Sequence, residues 1–129
     1  MDDLFSGNTA QDRALDRAAV QALGQAPRAL IDCDLEEADL SRLDLSGWTF
    51  ERCNLRRTDV SHAVLRGTNW QSCRGGFANF VGADLSDAVF TASDFNNGAF
   101  RRATLEAAGF VPCKLTGADL SEVKALDIL

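Results

Sequence analysis

Large apolar residues recur at every fifth position through most of the chain. From Leu30 to Leu120, each residue whose number is a multiple of five is a large apolar side chain, except Gly75. A helix has a period of 3.6 residues and a strand a period of 2.0, so neither keeps a five-residue stripe on one buried side. The pattern therefore predicts a chain that turns a corner every five residues and stacks into a solenoid with a continuous core.

The positions around each apolar residue repeat as well. The residue two places earlier is usually small, and the residue directly before it is often Asp or Asn, whose side chain bonds nearby backbone at turns. The segments 38–42, 83–87 and 118–122 read ADLSR, ADLSD and ADLSE. These segments resemble the signature of pentapeptide repeat proteins, and the resemblance extends over residues 28–122.

The resemblance implies an all-β solenoid, a right-handed quadrilateral β-helix with four pentapeptides in each coil. Residues 28–122 would then form about 4–5 coils. The cysteines point to the same coil size, because they share the small inward position at separations that are multiples of 20: Cys33, Cys53, Cys73 and Cys113. We expect them to form one ladder, with Ser93 in the gap, and to stay reduced because they pack as small buried residues.

The segment before the repeats has a different pattern. Apolar residues at helical spacing and an approximate capping box beginning at Thr9 predict one helix over residues 10–23. Its apolar side needs a surface to cover, and the first coil offers one, because Leu43 and Trp48 are too large for the small inward positions that they occupy. We therefore expect residues 1–27 to form a segment whose helix caps the N-terminal end of the solenoid.

The C-terminal segment, residues 123–129, is predicted to be an apolar tail. The register fades after Glu122, and the tail contains no helix and no polar capping residue. An open coil exposes unpaired strand backbone and core side chains, which favours association. Leu126, Ile128 and Leu129 are therefore candidates for a homodimer or end contact, and continuation of the natural chain beyond residue 129 is the other explanation.

Gly75 is the one gap in the apolar register. The first explanation is a local bulge or a tighter bend that makes room for Trp70. The functional alternative is a kink that pushes the outward residue Phe77 into solvent, where an aromatic side chain could anchor an interface. The cysteine- and aromatic-rich stretch 65–80 also resembles the Qnr-type fluoroquinolone-resistance subgroup of the family.

Composition predicts one small soluble domain, and the family resemblance implies a location in the bacterial cytoplasm. The chain has 129 residues, 46% of them hydrophobic, and no apolar run near the roughly 20 residues of a membrane span. No basic residue precedes Arg13, which argues against a secretory signal. The single histidine, His62, falls at an outward corner, where a solvated surface residue is expected rather than a base, and a ladder of parallel thiols does not converge on a metal. We therefore expect no enzymatic activity, no cofactor and no metal.

Function is then expected on the outer sides of the solenoid. Some pentapeptide repeat proteins are thought to imitate duplex DNA and to protect type II topoisomerases from quinolones or toxins. Duplex DNA carries one negative charge per about 1.7 Å, so a rod of about 23 Å would need about 13 charges. This chain has a net charge of -6 over four mixed sides.

The sequence thus predicts a non-catalytic scaffold with a protein partner. DNA gyrase or topoisomerase IV is the first candidate partner, and an adaptor or structural module in a secretion or toxin-related operon is the alternative. Direct binding of nucleic acid is not expected from an acidic chain.

Six outward residues are the candidates for partner contact: Phe77, Asp84, Asp87, Ile31, Val89 and Val111. The first is an outward aromatic residue, the two acids belong to the most acidic side, and the three aliphatic residues belong to the least charged side. A flat, partly apolar β surface can dock a protein, although scattered apolar residues on a solenoid can also lack any role.

Two pairs of adjacent arginines stand out on the outer surface. Arg56 with Arg57, and Arg101 with Arg102, fall on different sides of the predicted coil. The first interpretation is ion pairing with neighbouring acids, and the second is a phosphate-binding cluster.

Overall fold

The computed structural model describes residues 5–6 and 9–125, and these form a β-helix with a short helix near its beginning. The strand β1 pairs antiparallel with β2, and every later neighbouring pair is parallel. Helix α1 is Arg17–Ala22. The strands are β1 Phe5–Ser6, β2 Thr9–Gln11, β3 Ala29–Ile31, β4 Thr49–Glu51, β5 Asn69–Gln71, β6 Val89–Thr91 and β7 Gly109–Val111.

The pairing register has a constant step of 20 residues from β2 onward. Phe50 lies opposite Trp70, and three further rows of single parallel bridges keep the same step. Each coil therefore has four sides of five residues, which confirms the predicted quadrilateral β-helix. We number the sides in chain order: side 1 holds β2–β7, and sides 2, 3 and 4 hold the bridge rows of Asp34, Asp39 and Asp44. Five coils separate β2 from β7, a stack about 24 Å long.

The corners have a uniform backbone conformation. The second residue after each apolar centre has a positive φ from Asp32 to Glu122, except Pro112, whose ring fixes φ near -65°. The residue before the centre supports the turn: Asn79 Oδ1, for example, accepts a hydrogen bond from the Val81 amide at 2.9 Å. The predicted turn role of the Asp and Asn residues is therefore confirmed.

The core contains the residues of the five-residue register. Four rings on side 1 stack face to face, with centroid distances of 4.1 Å between Phe50 and Trp70, 5.4 Å to Phe90 and 4.8 Å onward to Phe110. The Trp70 Nε1 group donates to the Thr68 hydroxyl at 2.9 Å, so the buried indole keeps a hydrogen bond. The aromatic residues therefore stack into a column that runs along the solenoid.

The predicted cysteine ladder is present, and all four thiols are free. Each of these side chains donates to the carbonyl of a residue 23 positions earlier, as Cys73 Sγ does to the Phe50 oxygen at 3.1 Å, and Ser93 fills the gap in the same way. A hydrogen bond with Cys53 and burial raise the pKa of the Cys33 thiol well above its ordinary value. That thiol is therefore protonated at neutral pH and suited to packing rather than to nucleophilic chemistry.

The predicted helix over residues 10–23 is wrong in its first half. Strand β2 occupies the start of that range and pairs in parallel with β3. The physical reason is that Ala10, Leu15 and Val20 continue the five-residue register, and all three are buried. Pairing with the next coil satisfies backbone groups and buries these side chains at the same time.

Helix α1 begins after Asp16 rather than Thr9. The Asp16 carboxylate accepts a hydrogen bond from the Ala19 amide at 2.9 Å, as an N-cap residue does. Arg17 Nη1 donates to the Ser41 carbonyl at 3.0 Å, and Val20 is buried against the first coil. The helix therefore contacts the following coil through Arg17, whereas the capping role of residues 1–27 and the division of the chain at residues 27 and 122 remain predictions.

Gly75 marks neither a bulge nor a kink. Its amide donates to the Asp94 carbonyl at 2.7 Å, and its carbonyl accepts from Ala78 at 3.0 Å, as at the other turns. A Cβ atom on Gly75 would lie 2.1 Å from Phe95 Cε1. The glycine therefore makes room for the ring of Phe95 from the next coil, not for Trp70. The predicted bulge and kink are wrong, although Phe77 is exposed without a kink.

The outermost described coil is less covered than the others. Leu120 is 44% exposed, while Val123 packs against the core. The predicted contact residues Leu126, Ile128 and Leu129 lie outside the described residues, so a dimer or end contact through them stays a prediction.

Candidate protein-binding surface

The structure distributes the six predicted contact residues over separate parts of the surface. Asp84, Asp87 and Val89 belong to one coil, and Val111 lies on the adjacent strand β7. Phe77 lies at the corner between sides 2 and 3, half a coil away from Asp87. These residues therefore do not form one site.

The expected apolar docking plane on side 1 is reduced to a small patch. Val89 and Val111 are 38% and 56% exposed and lie on neighbouring strands. Ile31 is only partly exposed and lies three strands away, with Glu51 and Gln71 on the strands between. Side 1 therefore offers a two-valine patch at one end of a flat sheet.

Asp84 serves the turn in which it lies. Its carboxylate accepts from the Ser86 amide at 3.1 Å, from the Ser86 hydroxyl at 2.6 Å and from Arg66 at 3.2 Å. Burial raises the pKa of Asp84, but the hydrogen bonds from Ser86 and Arg66 outweigh burial and hold the pKa below its ordinary value of 3.8. Asp87, in contrast, is exposed at a corner with a φ of 62°.

Ion pairs neutralise further parts of the acidic surface. Arg52 donates two hydrogen bonds to Asp32, at 2.8 and 3.0 Å. Glu122 accepts from both Arg101 and Arg102 at 3.1 Å, which confirms the ion-pair interpretation for this arginine pair. A carboxylate held by a guanidinium presents less negative charge to a partner, so fewer of the 19 acidic side chains can stand in for phosphates.

A groove on side 2 adjoins Phe77, with a volume of about 410 Å³. Phe77 is 54% exposed, and the guanidinium carbon of Arg57 lies 4.9 Å from the centre of its ring, which is a cation–π contact. Arg56 and Arg74 also line the groove. Phe77 was predicted from the sequence as a solvent-exposed contact, but its basic neighbourhood was not.

Sequence reasoning missed Arg74 and Gly76 as parts of this surface. The signal that could have found them is the 20-residue step, because residues 20 apart are neighbours on adjacent coils. Arg56 and Gly76 are such neighbours, so the Arg56 side chain lies beside a position that has no side chain. No ion pair joins Arg56, Arg57 or Arg74 to a carboxylate within the described residues, so ion pairing is wrong for the first arginine pair.

The groups considered for chemistry remain apart. In residues 5–6 and 9–125, no three His, Cys, Asp or Glu side chains are arranged to hold a metal ion. His62 is exposed, and its ring lies beside Gly82 of the next coil. A Cβ atom on Gly82 would be 2.5 Å from His62 Nδ1. Over the same described part of the chain, the structure contains no helix that is long and apolar enough to span a membrane.

Comparison with solved structures gives several similar proteins. A trypsin-treated variant of QnrB1, a plasmid-mediated fluoroquinolone resistance protein, is 16% identical, with 93% of this chain and 70% of that chain covered and a TM-score of 0.41. HetL from the cyanobacterium Nostoc sp. strain PCC 7120, involved in heterocyst differentiation regulation, is 23% identical, with 77% and 58% covered and a TM-score of 0.42. Rfr23 from the cyanobacterium Cyanothece 51142 is 20% identical, with 94% and 82% covered and a TM-score of 0.31.

Comparison at the sequence level gives the family. Among curated proteins, none matches this chain significantly. The family described as pentapeptide repeat region matches residues 29–97, which is more than half of the chain. With the five-residue register present in every coil of the structure, this chain belongs to the pentapeptide repeat family.

Proposed function

We propose that this protein is a non-catalytic scaffold that binds a protein partner through the outer surface of its coils. The carrying observation is that large apolar side chains remain exposed on a fully packed rod, with Phe77 and Val111 more than half exposed. Exposed aromatic and aliphatic residues on a polar, rigid surface are typical anchors of interfaces. Family membership supports the same conclusion, because pentapeptide repeat proteins are generally structural or interaction modules.

A type II topoisomerase, DNA gyrase or topoisomerase IV, is the first candidate partner. Its support is the resemblance of the stretch 65–80 to the Qnr-type subgroup. Imitation of DNA by charge alone has less support, because a DNA duplex about 24 Å long carries about 14 negative charges on its two strands. The chain has a net charge of -6, and several of its carboxylates are paired. We therefore propose that a topoisomerase would contact Phe77 rather than recognise the negative charge of the rod alone.

The test is a titration of the purified protein into gyrase supercoiling and quinolone-induced cleavage assays. We expect inhibition of supercoiling or rescue from cleavage, and a weaker effect for Phe77→Ala, which removes an exposed ring without opening the core. An unrelated acidic protein of equal charge is the control for nonspecific electrostatics. No effect up to tens of micromolar, where specific partners normally register, would contradict the topoisomerase proposal for the enzyme tested.

The second candidate is an adaptor or structural module in a secretion or toxin-related operon. The flat sheet of side 1, with Val89 and Val111 exposed on adjacent strands, favours this role because it can dock another protein without imitating DNA. Neighbouring genes discriminate the two candidates. A toxin, exporter or gyrase-poison cluster supports topoisomerase protection, and a secretion cluster supports the adaptor.

A further inference from the structure

A missing side chain creates the groove beside Phe77. On side 2, the residue after each apolar centre belongs to one ladder of neighbours on successive coils: Glu36, Arg56, Gly76, Asn96 and Thr116. The φ of Gly76 lies outside the left-handed region, and a Cβ atom there would have no heavy atom nearer than the Asn96 oxygen at 3.9 Å. Neither packing nor backbone conformation therefore requires glycine at this position, yet its lack of a side chain leaves a gap in the ladder.

Three guanidinium groups surround this gap. Arg56 is the ladder neighbour of Gly76, Arg57 contacts the ring of Phe77, and Arg74 lies two residues before Gly76 on the same side. All three side chains are exposed, and none forms an ion pair with a carboxylate in the part of the chain that the structure describes. Five other arginines in that part do pair with carboxylates: Arg17, Arg52, Arg66, Arg101 and Arg102.

Two carboxylates share the groove with these arginines, but both serve local hydrogen bonds. Glu36 accepts from Asn54 Nδ2 at 2.9 Å, and Asp94 accepts from the Asn96 amide at 3.0 Å. The groove lining thus holds three guanidinium groups against two carboxylates, an excess of one positive charge on a protein whose net charge is -6. Guanidinium groups with free donors are suited to bind carboxylates in the planar, two-bond arrangement.

We infer that this groove is a docking site for an acidic segment of a partner protein, with carboxylates on Arg56 and Arg74 and an apolar side chain against Phe77. The inference names the partner chemistry of the scaffold function proposed above and rests on that function. A nucleic acid fits less well, because the groove has no further aromatic ring beside Phe77 in its lining. A single exposed aromatic ring offers one stacking position, whereas single-strand binders stack successive bases.

The experiment uses fluorescence anisotropy of the whole protein with three labelled probes. The first is a short peptide with two glutamates on each side of a phenylalanine, the second replaces the glutamates by glutamines, and the third is an oligothymidylate of similar length. At about 50 mM salt, where exposed charges are weakly screened, we expect the glutamate peptide to bind at least tenfold more tightly than either other probe. Raising the salt to about 200 mM should weaken that binding.

Matched variants locate the site. Arg74→Gln and Gly76→Glu should each weaken binding of the glutamate peptide about tenfold or more, the second by placing a carboxylate in the gap. Arg42→Gln is the control, because Arg42 is an exposed arginine on a different corner and its loss changes the net charge equally. Urea unfolding midpoints of all variants should stay near that of the original protein, since none of these residues is in the core.

Three outcomes would overturn the inference: no binding of the glutamate peptide, equal loss for Arg42→Gln and Arg74→Gln, or tighter binding of oligothymidylate. The last outcome would make the groove a nucleic-acid site. A failure here leaves the scaffold function to be judged by the topoisomerase assay. If the topoisomerase assay fails but the peptide binds, the inference about the groove stands and only the topoisomerase is rejected as the partner.

Discussion

The interior and the outer surface of the same coils follow the five-residue repeat to very different degrees. Inside, Trp70 is fully buried and stacks between Phe50 and Phe90 with interplanar angles of 6°. Outside, the corner row between sides 2 and 3 keeps one backbone conformation with five different residues: Glu37, Arg57, Phe77, Asn97 and Gly117. The interior therefore specifies the fold, and the outward positions are free to specify a partner.

The dipeptide Gly75-Gly76 shows this difference at adjacent residues. A Cβ atom on Gly75 would meet the Phe95 ring at 2.1 Å, whereas one on Gly76 would have nothing within 3.9 Å. The first glycine is required by packing, and the second is not. Packing thus explains the glycine on the inside but not the glycine on the outside, which we propose serves binding.

Removal of the Trp70 ring from the interior should have the largest effect on the stability of the protein. Trp70→Ala removes the middle member of the aromatic column and should lower the free energy of unfolding by about 3–5 kcal/mol, measured by urea unfolding followed by circular dichroism. Phe110→Ala is the matched control, because Phe110 ends the same column and is only partly buried. A loss of unfolding free energy for Phe110→Ala as large as that for Trp70→Ala would contradict the larger contribution expected from the buried middle ring.

The interior was largely predictable from the sequence because one residue in five is enough to set the register of every coil. The coil size was implied by the resemblance to pentapeptide repeat proteins and supported by the cysteine spacing, and the ladder agrees with it. The N-terminal helix was mispredicted because Leu15 fits two patterns at once, a helical stripe with Ala19 and the five-residue register with Ala10 and Val20. Pairing with the next coil decided between them, and pairing is a long-range term that local spacing does not contain.

The outer surface was predictable only in part. The exposure of Phe77 followed from its outward position, but the groove depends on which side chains lie 20 residues away on adjacent coils. Gly75 drew attention as the gap in the register, while the gap that opens the proposed binding groove is at Gly76, where packing does not require glycine. Partner-binding residues of a solenoid become visible in the sequence only when outward positions are compared coil by coil.

Substitution of the two glycines by alanine sharpens the contrast within one dipeptide. Gly75→Ala forces the Phe95 ring to move and should destabilise the protein by about 1–3 kcal/mol. Gly76→Ala should be neutral or stabilising by up to about 1 kcal/mol, because alanine restricts the unfolded chain. The difference in urea midpoint between the variants measures the contrast, and equal midpoints would contradict the role given to Phe95.

An outward residue can also serve the fold, and Asp84 tests how much. Asp84→Asn keeps an acceptor for the Ser86 amide, as Asn79 does for Val81, but removes the charge that faces Arg66. The pKa of Asp84 lies below its ordinary value of 3.8 in the folded protein. Its charge therefore contributes stability fully above that ordinary value, and the contribution is lost as the pH falls toward the folded pKa.

The resulting effect should be the smallest of the three and confined to one pH range. At pH 7 we expect Asp84→Asn to be less stable by less than about 1 kcal/mol, because the side chain is partly exposed and screened. As the pH falls below 3.8, the two proteins should converge in unfolding free energy, which urea titrations between about pH 2.5 and 7 would measure. A constant difference across that range would assign the loss to turn geometry, and Asp84 would then belong with the packing residues rather than with the charged outer surface.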